Sequence, residues 1–458
     1  MNVFYSTDWL ASTSVFYNEK TKKVSYNIND VIDWANFSID SEGLYFYVLF
    51  GYSVLGRTPV KDVFFLPPTS DIQIDQNHNL IVHRREDTVL DALDNGLNFT
   101  ETDVLDMIES KVQTWESQVS GNIIIPSSGG YDSRLLNCMV KEKERIKAFS
   151  YGTAPIQSQS FECVRAKEYT KKLGIDFKQI ELSEFHNYIN EWYSLYGVST
   201  HLHGMYQIEF YSKIREEGYC QCPLLSGIIG DAWAGNVNIK SIDKSSDICN
   251  LSYSHGMAGD PSFLIKKARE ELLEEYYERE KYNLKDERYR IISSMRLKIM
   301  LLSYLLKVPA SMGFKPWSPF LDMDVAISML KLPVERKKNR IWQDTYFKKW
   351  GIDNNSLHSK SSRVNMLDRM AMEKVPLNPL DVSILKEFVK VEYIEWINKY
   401  LTAKPFYSKM YYDLFYIPKI KEGVKLLGFR NLEMEAYNAY LVFKPIELLL
   451  KKRNSING

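Results

Sequence analysis

Residues 127–134 read Ser-Ser-Gly-Gly-Tyr-Asp-Ser-Arg and stand between a short apolar run and an apolar-periodic stretch. Two adjacent glycines let a backbone turn tightly and come close to a ligand. A helix that starts here offers free N–H groups and the positive end of its dipole. Ser128 and Ser133 add hydroxyl donors. Donors at this density suit phosphate. Asp132 does not, unless a cation such as Mg2+ stands between its carboxylate and the phosphate. The stretch lacks the G-x-x-x-x-G-K-[ST] pattern and holds no lysine, which argues against ordinary γ-phosphate hydrolysis. A Ser/Gly turn can join a strand to a helix and bind nothing, but S-G-G-x-D-S behind an apolar strand makes phosphate the better reading.

The flanking pattern supplies the elements that must hold such a loop. Asn122-Ile123-Ile124-Ile125 is an unbroken apolar run, as in a strand covered on both faces of a parallel sheet. Residues 135–140 predict a helix, 148–151 a second strand, and 177–182 a third. Cys163, Ala166, Thr170 and Leu173 fall on one helical face, and Gly174 is a natural stop. Strand–helix–strand–helix–strand predicts an α/β fold with a doubly wound parallel sheet. Upstream, Thr102-Asp103 can cap a helix with Val104, Ile108 and Val112 on its apolar face.

The first hundred residues predict a small β segment. Residues 44–55 read as a buried strand, 56–59 as a turn, and 63–66 as a strand stopped by Pro67-Pro68. Ile72 and Ile74 alternate with polar residues, and 75–79 turn the chain into Leu80-Ile81-Val82. Beyond about residue 240 the pattern is mostly helical, notably over 266–280, 291–306 and 437–450. The expected division is 1–100, 101–350 and 351–458, the last a helical extension.

Equal numbers of basic and acidic side chains, 58 of each, leave no net charge to drive binding along a polyanion, so nucleic acid is not expected as a partner. No apolar stretch reaches membrane-spanning length, and residues 1–10 hold Asp8 and no basic n-region. Cys138, Cys163, Cys220, Cys222 and Cys249 form no C-x-x-C pair and read as reduced thiols, with 220–222 as an alternating strand edge. A cytoplasmic protein without membrane insertion is the expectation.

Ser128-Gly129-Gly130-Tyr131-Asp132-Ser133 resembles the pyrophosphate loop of the ATP pyrophosphatases (adenine nucleotide alpha hydrolase-like proteins), and within them the asparagine synthetase group. Three further blocks resemble that group in the same order: Phe149-Ser150-Tyr151-Gly152 with the helix after it, Leu225-Ser226-Gly227-Ile228-Ile229-Gly230-Asp231, and Ser318-Pro319-Phe320-Leu321-Asp322. The likeness covers roughly residues 100–350. It implies an ATP-dependent, Mg2+-requiring ligase that adenylates a carboxylate, releases pyrophosphate and passes the acyl group to ammonia or an amine. It implies that Ser128, Gly129, Gly130 and Ser133 hold pyrophosphate, that Asp132 and Asp231 hold Mg2+, and that Ser226 and Gly227 lie beside the nucleotide. Arg340 aligns best with the group's phosphate-binding cation, while Asp322 is expected to brace the fold.

The departures shape the expected activity. The glutaminase nucleophile of that group is a cysteine at the second position; here it is Asn2, and residues 1–100 read as a degenerate remnant of the glutaminase-like domain. Nitrogen then comes from free ammonia, a separate glutaminase, or an amine on the acceptor. Ile228 and Ala232 stand where the group often has glutamate. His201 and His203 are candidates for the acceptor pocket, and Lys337 and Lys338 read equally well as a solvated face. The N-terminal pattern resembles amidotransferases of surface polysaccharide (O-antigen or capsule) pathways, which points to a small-molecule or sugar-linked carboxylate such as a uronic acid. The alternatives are a lactam- or peptide-cyclising synthetase of the same fold, a nucleotide-binding protein without turnover and, more distantly, a tRNA-modifying relative.

Overall fold

The computed structural model describes residues 2–75, 79–252, 256–266, 271–402, 411–417, 420, 423 and 426–457. Eleven strands occur among them: β1 Asn2–Ser6, β2 Phe16–Asn18, β3 Val24–Ser25, β4 Val63–Phe65, β5 Ser70–Ile74, β6 Leu80–Arg84, β7 Ile123–Pro126, β8 Ile146–Tyr151, β9 Asp176–Ile180, β10 Pro223–Leu225 and β11 Lys315–Trp317.

The last five form one parallel sheet in the order β11-β10-β7-β8-β9. Ile123, Ile124 and Ile125 are fully buried, as an apolar run at the centre of a sheet covered on both faces must be. The chain runs from β7 outward through the helices Tyr131–Met139 and Phe161–Leu173 to β9, then returns to the other side of β7 for β10 and β11. Strand order therefore reverses between β7 and β10. In open α/β sheets the crevice beyond the strand ends at such a reversal is where ligands bind. The fold is α/β with a five-stranded parallel sheet.

Residues 44–55 are not a strand. Residues 44–50 fall in the helix Ser41–Phe50, whose N-cap Asp40 accepts the Gly43 N–H and whose C-cap Gly51 sits at φ +80°, and 51–55 follow as a loop. Leu44, Phe46, Tyr47, Val48 and Phe50 are all buried. A helix covered on every side has no polar face, so its sequence shows the same continuous apolar run as a buried strand. The Tyr47 hydroxyl donates to the Val442 carbonyl at 3.1 Å, which ties this helix to Leu432–Asn457 near the other end of the chain.

Other boundaries move less. The helix expected to be capped at Thr102-Asp103 is Glu101–Gln118; Thr100 caps it and Asp103 closes the capping box. The apolar stretch 291–306 is two helices, Glu287–Leu302 and Tyr304–Ser311. The 266–280 pattern yields Glu271–Glu280, and its residues 267–270 lie outside the described residues, as do Gln76, Asn77 and His78 of the expected 75–79 turn. Cys220 and Cys222 stand in the loop before β10, where Gln221 takes φ +55°, and so form no strand edge. No helix among the described residues is long and apolar enough to cross a membrane.

The N-terminal segment makes two three-stranded antiparallel sheets, β1-β5-β6 and β3-β2-β4. It shares one hydrophobic core with the parallel-sheet region, with Phe46, Ile124, Phe347 and Leu449 in the same buried cluster. The Trp9 ring packs on Trp233 at 5.8 Å, and its indole N–H donates to the Leu321 carbonyl at 2.8 Å. Trp233 donates to the neighbouring Phe320 carbonyl at 2.9 Å. Asp322 caps the helix Met323–Leu330 and pairs with Lys111 at 2.6 Å, so its carboxylate is engaged in the scaffold.

Candidate functional site

Two strand-to-helix loops meet at the sheet reversal. The first leaves β7. Its Ser127 N–H donates to the Phe149 carbonyl at 2.7 Å, which continues the ladder with β8. The Ser128 N–H donates to Ser133 Oγ at 3.0 Å, and the Gly130 N–H donates to Ser128 Oγ at 3.1 Å. Arg134, almost wholly buried, donates to the Gly129 and Ile352 carbonyls, each at 2.9 Å. Gly129 must be glycine on steric grounds: a Cβ there would stand 2.7 Å from the Phe161 ring and 2.9 Å from Arg165 Cβ. Gly130 is the N-cap of Tyr131–Met139, and no side chain caps that helix, so its first N–H groups are free to meet an anion.

The second loop leaves β10. The Ser226 N–H donates to the Trp317 carbonyl at 2.8 Å, and Ser226 Oγ accepts the Ile228 N–H at 3.3 Å. Ile229 takes φ +53°, a left-handed conformation that a β-branched residue rarely adopts. A short helix, Gly230–Ala234, follows and starts with Asp231 in its first turn. A Cβ on Gly227 would lie 3.3 Å from Asp132 Cβ, and one on Gly230 would lie 3.0 Å from Asp132 Cγ. Glycine at both positions is what lets the second loop close on the first.

Asp132 is therefore enclosed, with its side chain only 15% exposed. Burial pushes its carboxyl up to about 7, the negative charge of Asp231 adds to the rise, and Arg340 opposes it. Arg340 Nη1 lies 3.4 Å from Asp132 Oδ1, and its guanidinium stacks 4.9 Å from the Tyr131 ring centre. It reaches there from a backbone in which both Asn339 and Arg340 sit at φ +53°. Consecutive non-glycine residues in this region carry strain that the surrounding structure must hold. Asp231 accepts from Asn236 Nδ2 at 3.2 Å.

Among the described residues no group of three or more His, Cys, Asp or Glu side chains could enclose a metal ion. Two carboxylates beside open N–H donors suit Mg2+ instead, which keeps few protein ligands and takes the rest from phosphate and water. A carboxyl driven up by burial and a like charge is relieved by a cation, so the residues fit the ion.

A cavity of about 280 Å³ opens over both loops. Ser128, Gly130, Asp132, Ser133, Ser226, Gly227, Asp231 and Arg340 line it, and Gly129 shapes it from behind. The structure thus brings together the residues singled out from the sequence. Its far wall is formed by Tyr151, Glu162, Gln207, Phe210, Tyr211 and Leu305, from three separate helices and a strand end. Of these, Tyr151 lies in the block Phe149–Gly152, and none of the motif blocks holds the others. Lys298 was also missed. Burial lowers its pKa, and the charge of Asp231 partly restores it. The one signal for it was a lysine inside the apolar stretch Leu297–Leu301.

His201 and His203 do not reach the cavity. Burial holds His201 well below the usual histidine range, and its Nδ1 accepts the His203 N–H at 3.0 Å. Its ring packs beneath Gly51, where a Cβ would meet it at 2.6 Å, so His201 belongs to the interior, while the half-buried His203 does not line the cavity. Lys337 is not part of a solvated face either: its Nζ donates to the Leu330 carbonyl at 2.7 Å, and burial lowers its pKa. Lys338 is exposed.

No protein-family model matches this chain, and no curated protein matches it significantly.

Proposed function

We propose that the protein is an ATP-dependent carbon–nitrogen ligase of the asparagine synthetase-like type, which adenylates a substrate carboxylate, releases pyrophosphate and transfers ammonia or an amine. The observation that carries this reading is the meeting of Asp132 and Asp231 on two glycine loops at the sheet reversal, beside an uncapped helix N-terminus. The proposed cofactors are ATP and Mg2+, the proposed compartment the cytoplasm, and the proposed acceptor a uronic acid carboxylate of surface polysaccharide synthesis.

Each residue has a distinct task in this reading. The first N–H groups of Tyr131–Met139, with the Ser128 and Ser133 hydroxyls, bind the phosphate oxygens. Asp132 and Asp231 hold Mg2+, which when bound neutralises charge on the departing pyrophosphate. Asp132 must give up its proton to do so, and metal binding drives that loss. Arg340 holds a positive charge at the carboxylate–phosphate boundary, and its stacking on Tyr131 fixes its direction. Ser226 and Gly227 leave room for the nucleotide beside the first loop.

Adenylation is the step that makes an amide accessible, because a carboxylate oxygen is a poor leaving group and AMP is a good one. The test is product analysis with ATP, Mg2+, ammonia and a panel of carboxylates that includes nucleotide-linked uronic acids. AMP with pyrophosphate, dependent on ammonia and lost in Asp132→Ala, is the expected result. ADP as the sole nucleotide product would end this reading. AMP formed without ammonia would move it to a cyclising synthetase of the same fold.

A further inference from the structure

We infer that Glu162, at the aromatic end of the cavity, binds the cationic nitrogen of the amine nucleophile and takes its proton. This rests on the ligase reading above.

Glu162 is the second residue of Phe161–Leu173, and the Phe161 ring abuts Gly129, so this helix begins directly beside the first loop. The Glu162 side chain lines the cavity, and its Oε2 is buried with no hydrogen-bond partner among the described residues. Nearby cations are engaged elsewhere. Arg165 bonds to the Leu357 carbonyl and pairs with Glu168 at 3.5 Å, while the Arg363 guanidinium stacks on Phe161 at 4.2 Å. A buried carboxylate oxygen without a donor is costly, and a ligand that supplies a donor removes that cost.

The rings around it narrow the choice of ligand. Tyr151, Phe210 and Tyr211 line the same cavity. Tyr151 packs edge-on against Phe210 at 5.3 Å and lies 5.5 Å from Tyr206, whose hydroxyl is 3.2 Å from that of Tyr304. The Tyr151 ring is therefore fixed in place. An anionic oxygen among aromatic faces attracts an ammonium and repels phosphate or carboxylate. The cavity thus has two unlike ends: N–H donors and Arg340 for anions, and Glu162 with aromatic rings for a cation.

The reaction needs such a group because Ile228 and Ala232 leave the second loop without a glutamate. An ammonium, R–NH3+, gives one proton to the Glu162 carboxylate and becomes R–NH2. The freed lone pair forms the C–N bond at the acyl carbon, AMP leaves with the electron pair of the broken C–O bond, and the second proton of the now cationic nitrogen passes to the departing AMP phosphate, leaving a neutral amide.

The test is a ligand-observed NMR titration of the full chain at pH 7, with n-butylammonium chloride and with 1-butanol, at an ionic strength fixed with NaCl. Wild type should bind the ammonium at least ten-fold more tightly than the alcohol. In Glu162→Gln, with folding checked by its melting midpoint, the preference should fall below two-fold. Equal affinities in wild type, which need no variant, would overturn the inference, and so would a preference that survives in Glu162→Gln. AMP binding by wild type, measured in parallel, reports on the ligase reading separately. Absent AMP binding with an intact ammonium preference would refute that reading and leave a cation site.

Discussion

Residues 127–130 and 226–229 both carry the chain from a parallel strand to a helix, yet they hold their shapes differently. The first loop is tied by hydrogen bonds among its own residues, Ser128, Gly130 and Ser133, and by the buried Arg134 beneath it. None of its residues has a positive φ. The second loop has fewer internal bonds and puts Ile229 at φ +53°, with that residue only 6% exposed. Burial of an isoleucine side chain contributes roughly 1.5–3 kcal/mol, enough to offset a left-handed conformation costing about 1–2 kcal/mol. The first loop is thus fixed mainly by its own hydrogen bonds, with Phe161 and Arg165 packed against Gly129. The second is fixed by what packs on it, including Phe320 against Gly230 and the Trp9–Trp233 contact with the N-terminal segment. The N-terminal segment therefore has a structural role at the site.

The largest effect expected is on turnover. Asp132→Ala should lower ATP-dependent pyrophosphate release by about a thousand-fold, and Asp231→Ala comparably, since both would hold one ion. Steady-state assays of the two variants read this. A large loss in only one would show that the loops do not act as a pair.

Packing comes next. In Gly230→Ala the new Cβ meets the Phe320 ring at 2.8 Å, and the variant should lose about 1–3 kcal/mol in denaturant unfolding. Gly130→Ala meets only the Ser128 hydroxyl, at 3.1 Å, and should lose less than about 1 kcal/mol. Equal losses would erase the contrast between a loop held from outside and one held from within.

Charge gives a smaller, pH-dependent effect. Asp132 has a folded pKa of about 7, above its ordinary 3.8, so the folded state binds the extra proton between those values. Stability contributed by that proton is present at low pH and lost as pH rises from about 4 through 7. Asp132→Asn, in metal-free buffer with chelator, should therefore be more stable than wild type by at least about 1 kcal/mol at pH 8 and close to it at pH 4. Unfolding curves at the two pH values check the sign. The smallest effect reads the strain itself. At position 229 a glycine variant should be more stable than an alanine variant by about 1 kcal/mol, and at Ser128 the order should reverse by about 0.5–1 kcal/mol.

The same contrast explains what could be read from the sequence. Ile123-Ile124-Ile125, Gly129-Gly130 and Asp132-Ser133 are contiguous, so strand, turn and ligand chemistry show together. The five-stranded parallel sheet was legible in its first three strands for that reason. The helix Ser41–Phe50 was not, because burial on every side removes the period that tells helix from strand. Glu162, Gln207, Phe210 and Leu305 were not marked by any local pattern, because tertiary packing alone brings them to the cavity. His201 and His203 misled for the converse reason: their residue type suggests chemistry, while the fold buries His201 and leaves His203 off the cavity wall.

The most direct test of the central claim is equilibrium binding of α,β-methylene ATP, with and without Mg2+, to wild type, Asp132→Ala and Asp231→Ala. The two-loop site predicts Mg2+-dependent binding to wild type and at least a ten-fold loss in each variant. Equal binding in all three proteins, or no binding to wild type at any Mg2+ concentration, would contradict it.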